Sequence, residues 1–208
     1  MIFEPTAHLI NPDTGSLDGH TGSYIKTLLQ LEGIYSDTQA FDEACKTHGD
    51  TVVYRVEDVR PDTDHGNLIF GTTFMEAGDI GGEFYLTRGH IHGFGNRPET
   101  YYGESGRGVM LLESPEGESR ILEIAPKVMV FVPPYWIHRS VNIGNEPLVM
   151  SFCYPADSGQ DYDVIAQTCG MAKRIMKDGM GWKAIDNIRY QPRTAEQIKR
   201  IYATGDER

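Results

Sequence analysis

The sequence predicts an all-β fold, a sandwich or closed barrel with helices at its two ends. Between residues 51 and 154 the chain holds a series of short runs rich in β-branched and aromatic residues. Turn-forming stretches at 77–79, 114–117 and 143–145 separate them, and short strands at even spacing are typical of these folds. A length of 208 residues with 39% hydrophobic residues suits one domain with a sizeable core.

The first 50 residues are predicted to form an extended arm followed by helices. Residues 1–20 are rich in Pro, Asp and Gly and form the predicted arm. Apolar residues then recur at helical spacing, which predicts a helix over 23–31, at Ile25, Leu28, Leu29 and Leu31. Ser36 and Gln39 resemble a capping box that would open a second helix over 37–46.

Residues 51–165 are predicted to form the barrel core, and residues 166–208 to complete the same single domain. The predicted strands are 51–56, 68–75, 83–87, 108–112, 120–124, 128–132 and 148–154. A hairpin of 172–176 and 182–188 around the turn 177–179 should follow. Thr194 precedes a final predicted helix over 195–202.

Charge and cysteine content restrict the partners and the compartment. A net charge of −11 argues against nucleic acid and anionic membranes as partners. No run approaches the roughly 18 apolar residues that span a bilayer, and the N-terminus lacks the pattern of a secretory signal. Cys45, Cys153 and Cys169 are irregularly spaced and are interpreted as reduced thiols. We therefore expect a cytoplasmic protein.

Three histidines and one glutamate form a candidate metal site. His90 and His92 are two residues apart, so an extended strand would project both imidazoles from one face. Glu99 follows, and His138 lies in a later β-like segment. Three nitrogen ligands and one carboxylate suit iron, manganese, nickel or zinc better than calcium or magnesium.

A single buried histidine is usually a hydrogen-bonded core residue, and a His-x-His pair alone is a weak signal. Here three of the seven histidines lie in two β-like segments with an acid between them, which favours a metal. The other four lie in polar or turn-rich contexts and are predicted to be surface or cap residues: His8, His20, His48 and His65.

These segments resemble the two motifs of the cupin superfamily, whose small double-sheet barrel holds one metal in its mouth. The first motif matches at His90, His92, Glu99 and Gly106. The second matches at Pro133, His138 and Asn142, with Tyr135 in place of the usual glycine. The gap between His92 and Glu99 is longer than in most cupins.

The longer gap resembles one family, the cupin-type glucose-6-phosphate isomerases. The resemblance rests on Thr87-Arg88-Gly89-His90-Ile91-His92, on Glu99-Thr100-Tyr101-Tyr102 with Gly106, and on residues 154–162. It implies interconversion of glucose 6-phosphate and fructose 6-phosphate in glycolysis and gluconeogenesis, by a cupin that forms a homodimer and binds one divalent ion per chain. Fe²⁺ is the first expectation for that ion, and Mn²⁺, Ni²⁺ and Zn²⁺ are the alternatives. One position departs from the family, since Gln160 stands where histidine is familiar.

The resemblance also assigns roles to residues of this chain. It implies that His90, His92, Glu99 and His138 bind the metal, and that seven residues contact sugar or phosphate: Tyr54, Thr73, Thr87, Gly89, Tyr154, Gln160 and Tyr162. Thr87 and Gly89 share strand parity, and a glycine N–H allows close approach to an oxyanion. Arg88 would point to the opposite side of a regular strand. Tyr54, Thr73 and Tyr154 are ordinary strand residues on the alternative interpretation.

Isomerisation moves hydrogen between C1 and C2 of an open-chain sugar. Glu99 is the candidate acid–base group, although as a metal ligand it would have to bind through one oxygen or detach. A metal-assisted hydride shift is the alternative. Tyr101 should face the same side as Glu99, either to contact the sugar and orient Glu99 or simply to line the barrel.

Other functions fit the same motifs. An iron-dependent cupin oxygenase would also use three histidines and a carboxylate. A cupin isomerase of another sugar and a non-catalytic sugar-binding cupin are further alternatives.

Overall fold

The structure, a computed structural model, describes residues 4–61 and 66–205. The predicted surface position of His65 therefore lies outside the described residues. None of the helices within the described ranges is long and apolar enough to cross a membrane.

Short strands dominate the chain. They are β1 Gly22–Thr27, β2 Val52–Val59, β3 Leu68–Met75, β4 Asp79–Ile80, β5 Glu83–Phe84, β6 Glu99–Ser105, β7 Gly108–Glu113, β8 Ser119–Ile124, β9 Met129–Val132, β10 Ile137–Asn142, β11 Leu148–Pro155, β12 Lys173–Asp178 and β13 Gly181–Asp186. The helices are α1 Thr38–His48, α2 Asp163–Ala166 and α3 Ala195–Ala203, with a 3₁₀ turn at Leu29–Leu31.

Two antiparallel sheets face each other and form the barrel. The larger has the order β1-β2-β3-β11-β6-β9, and the smaller has the order β10-β7-β8. Apolar side chains from both sheets fill the space between them, among them Val53, Met75, Met110, Leu112 and Met150. The predicted all-β class, a double-sheet barrel with flanking helices, is confirmed.

The C-terminal segment forms a hairpin and a final helix, as predicted. The hairpin of β12 and β13 joins β5 and β4 in a third sheet. Thr194 caps α3 in a capping box with Gln197. A buried ion pair joins β12 to β5 within this third sheet, since Arg174 Nη1 lies 2.7 Å from Glu83 Oε1.

The predicted helix over 23–31 is wrong. Residues 22–27 form β1, which pairs with β2 in the register Gly22↔Asp58 to Lys26↔Tyr54. Only Leu29–Leu31 is helical, as a 3₁₀ turn that buries Leu31. The hydrogen-bond ladder to β2 outweighs the helical spacing of four apolar residues, because tertiary pairing overrides local propensity.

Two further local predictions need correction. The second helix begins at Thr38, and its N-cap is Asp37, whose side chain accepts from Ala40 N. Ser36 is not the cap, because its backbone N–H donates to Glu83 Oε2 at 2.7 Å. The predicted strand 83–87 is only Glu83–Phe84, since the chain then leaves the third sheet and pairs singly with β10 through Leu86↔Val141.

Candidate active site

A cavity, the barrel cavity, opens between the larger sheet and the segment 87–90. Ten of the predicted site residues line it: Tyr54, Thr73, Thr87, Gly89, His90, Glu99, Tyr101, Tyr154, Gln160 and Tyr162. The structure therefore brings residues that are more than 100 positions apart in the chain into one space.

His90 and Glu99 line this cavity, and His92 and His138 lie against Glu99. Glu99 Oε2 lies 3.8 Å from His90 Nε2, 3.2 Å from His92 Nε2 and 3.0 Å from His138 Nε2. The candidate ligand atoms of His90, Glu99 and His138 all lie within 4.8 Å of one another. His92, Glu99 and His138 are buried, with 4%, 3% and 2% of their surface exposed.

Backbone pairing between distant segments sets this geometry. Glu99 begins β6 and His138 lies in β10. His90 pairs with His138 through two backbone hydrogen bonds of 3.1 and 3.0 Å, so their rings lie 4.5 Å apart. The longer segment between His92 and Glu99 forms the turn that brings Glu99 back beside the histidines.

The protonation of two imidazoles indicates what the cluster can hold. His92 Nδ1 lies 2.7 Å from Arg97 O, and His138 Nδ1 lies 3.0 Å from Trp136 O. A carbonyl oxygen only accepts hydrogen bonds, so we assign the proton to each Nδ1. In a neutral imidazole, Nε2 then carries a bare lone pair, and both of these lone pairs face Glu99.

Such a cluster of acceptors fits a divalent cation. Burial, followed by the neighbouring His138, lowers the pKa of His90. Among the described residues, His92 Nε2 is buried without a hydrogen-bond partner. A carboxylate and neutral imidazoles crowded together repel one another unless a cation lies between them.

Tyr101 lies close to this cluster. Its ring centroid is 5.9 Å from that of His138, and its side chain is buried. Burial, followed by the charge of Glu99, raises the pKa of Tyr101 well above 10. The phenol is therefore a hydrogen-bond donor, and strand parity places it on the same side as Glu99, as predicted.

The opposite side of the barrel cavity is lined by hydroxyl groups. Thr87 Oγ1 accepts from Ser140 N at 3.0 Å, which holds the threonine in place and leaves its hydroxyl hydrogen available. Tyr54 OH accepts from Arg88 N at 3.5 Å. Gly89 adopts a φ of +77°, and a Cβ there would lie 2.8 Å from Ile165 Cδ1, so only glycine fits.

Gln160 lies beside the candidate metal ligands, in the loop between β11 and α2. Its Nε2 lies 3.5 Å from His90 Nε2, and its Oε1 accepts from Tyr162 OH. The glutamine thus joins the barrel cavity at the position where the family resemblance has histidine.

The predicted orientation of Arg88 is wrong. Its side chain lines the barrel cavity, and its guanidinium carbon lies 5.3 Å from the centre of the Tyr162 ring. The positive φ of Gly89 breaks the strand alternation on which the prediction relied.

Other cavity residues were not predicted, among them the polar residues Tyr24, Asp58 and Arg60. Asp58 is fully buried and accepts from Arg60 Nε and Nη2 at 2.6 to 2.9 Å. Both residues share the parity of Tyr54 and Val56 along β2, and that alternation is the signal that could have identified them. Tyr24 was not identified because it lies in the segment 23–31, which was incorrectly predicted to be a helix.

Comparisons with known proteins identify the family of this chain. Residues 25–193 match the family described as glucose-6-phosphate isomerase (GPI). The chain is 53% identical over 202 residues to a glucose-6-phosphate isomerase of Sinorhizobium medicae (strain WSM419), covering 97% of this chain and 94% of the relative. It is 38% identical over 191 residues to one of Pyrococcus furiosus, covering 92% and 100% of the two chains.

Among solved structures, oxalate oxidase in complex with the substrate analogue glycolate aligns with a TM-score of 0.44 and 12% identity. The alignment covers 53% of this chain and 55% of that chain. A likeness this partial carries no weight for function.

Proposed function

The chain belongs to the cupin-type glucose-6-phosphate isomerase family, and from this premise we propose that its barrel cavity interconverts glucose 6-phosphate and fructose 6-phosphate. One observation supports this most strongly. A buried cluster of acceptors at Glu99 and a wall of hydroxyl groups around Thr87 lie in the same cavity. The first suits the C1 and C2 end of an open-chain sugar, and the second suits its phosphate.

We propose that His90, His92, Glu99 and His138 hold one divalent ion, with iron as the first candidate. When bound, the ion would polarise the oxygens on C1 and C2 of the sugar. The second nitrogens of His92 and His138 are fixed by backbone carbonyls, which orient these rings for a metal.

Glu99 is the proposed acid–base group. Its contacts with the three imidazoles involve Oε2. We propose that Oε1 takes the proton from one carbon and returns it to the other, so that one carboxylate serves both purposes. A hydride shift between the two carbons is the alternative, in which Glu99 would only hold the ion.

Tyr101 is proposed to assist at the same end. Its protonated phenol can donate a hydrogen bond to a sugar oxygen or to Glu99. Gln160 is proposed to contact the sugar beside His90, where its amide can both donate and accept.

The phosphate is proposed to bind at the hydroxyl-lined side. Thr87, Gly89 and Tyr54 lie there, together with other cavity residues that can donate hydrogen bonds: Thr73, Tyr154 and Tyr162. The guanidinium group of Arg88 adds positive charge at this side, and arginine suits phosphate recognition. The charge of Arg60 is balanced by the buried carboxylate of Asp58.

We further propose that residues 1–208 act as one domain, in the cytoplasm, within glycolysis or gluconeogenesis.

A homodimer is also proposed. β9 is an edge strand of the larger sheet, and it exposes 64% of Met129 and 54% of Phe131. Apolar side chains on an open edge favour pairing with a second copy. Light scattering of the purified protein should give twice the chain mass, and Phe131→Glu should shift it toward the single-chain mass.

The isomerase proposal is tested by assaying the purified chain on fructose 6-phosphate and measuring glucose 6-phosphate formed. Conversion should exceed that of unphosphorylated fructose, because only the phosphorylated sugar uses the hydroxyl-lined side. Dioxygen consumption is measured in parallel. Preference for the free sugar, or oxygen uptake coupled to substrate loss, would contradict the proposal.

A further inference from the structure

A second cavity of about 460 Å³ lies beside the barrel cavity. Residues 30–34, the end of α2 and Arg189 form its walls. Arg88 and Tyr162 line both cavities, so they form the partition between them.

Three arginines line the second cavity: Arg88, Arg139 and Arg189. Among the described residues, none of the three has a nitrogen within 4.0 Å of a carboxylate oxygen, in contrast to the buried pairs Arg174–Glu83 and Arg193–Glu113. Glu32 is the acid that lines the same cavity, and it is exposed. In a chain with a net charge of −11, this local excess of positive charge is unusual.

Arg139 is the most informative of the three. It is 5% exposed, and its Nε–H is buried without a hydrogen-bond partner among the described residues. The Nε–H groups of Arg174 and Arg193 are buried in the same way, but each of those two arginines has a carboxylate partner, which Arg139 lacks among the described residues. Burying a charged donor without an acceptor costs free energy, and a bound anion would offset that cost. Arg189 is exposed and donates to Tyr35 O and Ser36 O at 3.2 and 3.0 Å, which holds it at the rim.

We propose that the second cavity binds a small anionic metabolite with a phosphate group, at a site distinct from the barrel cavity. Guanidinium groups recognise phosphate oxygens through paired, charge-assisted hydrogen bonds. The apolar side chains of Ile34 and Ile165 line the same cavity and provide a surface for the carbon part of such a molecule.

Occupancy of the second cavity should affect the barrel cavity. Arg139 Nη2 donates to Arg88 O at 2.6 Å, directly beside Gly89. An anion that draws Arg88 toward the second cavity removes positive charge from the proposed phosphate side of the barrel cavity. The occupied second site should therefore raise the KM for fructose 6-phosphate, and this kinetic consequence alone rests on the proposed function.

Ala166 allows a clean test, because it is exposed, lines the second cavity and takes no part in the proposed chemistry. The probe is 3-phosphoglycerate, titrated calorimetrically into the metal-loaded protein. We expect two sites in the original protein, one per cavity. Ala166→Glu should weaken the second site by roughly tenfold or more through like-charge repulsion, whereas the uncharged Ala166→Gln should retain it.

Arg189→Gln provides a second variant, and Arg120→Gln, on an exposed arginine outside the cavities, is its matched control. Arg189→Gln should weaken the same site, and Arg120→Gln should not. A single site in the original protein, or equal affinities in Ala166→Glu and Ala166→Gln, would overturn the proposal. Because these readouts measure binding, they stand even if the chain fails to isomerise sugar phosphates.

Discussion

Replacing Thr87 by alanine should weaken binding of the phosphorylated sugar selectively. Thr87 Oγ1 accepts from Ser140 N at 3.0 Å, which leaves the hydroxyl hydrogen to donate to a phosphate oxygen. A hydrogen bond to a charged group contributes about 1.5–3 kcal/mol, which corresponds to roughly 10- to 150-fold in KM. The KM for fructose 6-phosphate should rise by this factor, while turnover of unphosphorylated fructose should change little.

Two measurements separate this effect from simple damage to the fold. Thr87→Ser keeps the hydroxyl group and should restore most of the affinity. Thr87→Ala leaves Ser140 N without its acceptor, which costs about 1–3 kcal/mol of stability, so the free energy of unfolding is measured for both variants. Equal increases in KM for the phosphorylated and free sugars would refute phosphate binding by Thr87.

Three other substitutions test separate parts of the structure. Glu99→Gln should lower kcat by about 10²–10⁴-fold, provided that metal content is unchanged; normal kcat in the loaded variant would remove Glu99 from proton transfer. Arg174→Met should destabilise the fold by about 3–5 kcal/mol, because it leaves the buried carboxylate of Glu83 unpaired. The same change at Arg107, whose ion pair is exposed, should cost about 1 kcal/mol or less in the same denaturation experiment. Thr194→Ala should cost about 0.5–2 kcal/mol by removing the N-cap of α3, and an unchanged free energy of unfolding would show that the capping box contributes nothing.

The sequence was most informative where a residue pattern reports directly on local geometry. Short β-like runs with turn residues between them predicted the β-rich barrel, and Thr194 with the following residues predicted α3. The spacing of His90, His92 and Glu99 pointed to residues that the structure brings together, because each lies next to a backbone segment that pairs with a neighbour.

Failures arose where distant pairing or a special backbone angle decided the structure. β1 exists because β2 lies beside it, and nothing in residues 23–31 alone indicates that partner. Arg88 enters the barrel cavity because Gly89 adopts a positive φ, which breaks the strand alternation. Arg60 was overlooked although it follows Tyr54 by an even number of residues, because charged residues at the end of a strand usually face solvent.

The proposed metal-dependent isomerase activity is tested most directly by relating the amount of bound metal to the isomerase rate. The purified chain is stripped with a chelator and reloaded in steps with Fe²⁺, Mn²⁺, Ni²⁺ or Zn²⁺, and bound metal and conversion of fructose 6-phosphate are measured at each step. We predict that the rate rises in proportion to the metal bound and stops rising at about one ion per chain. This stoichiometry is expected for one cluster of three imidazoles and one carboxylate. Full activity in the stripped protein would contradict the prediction.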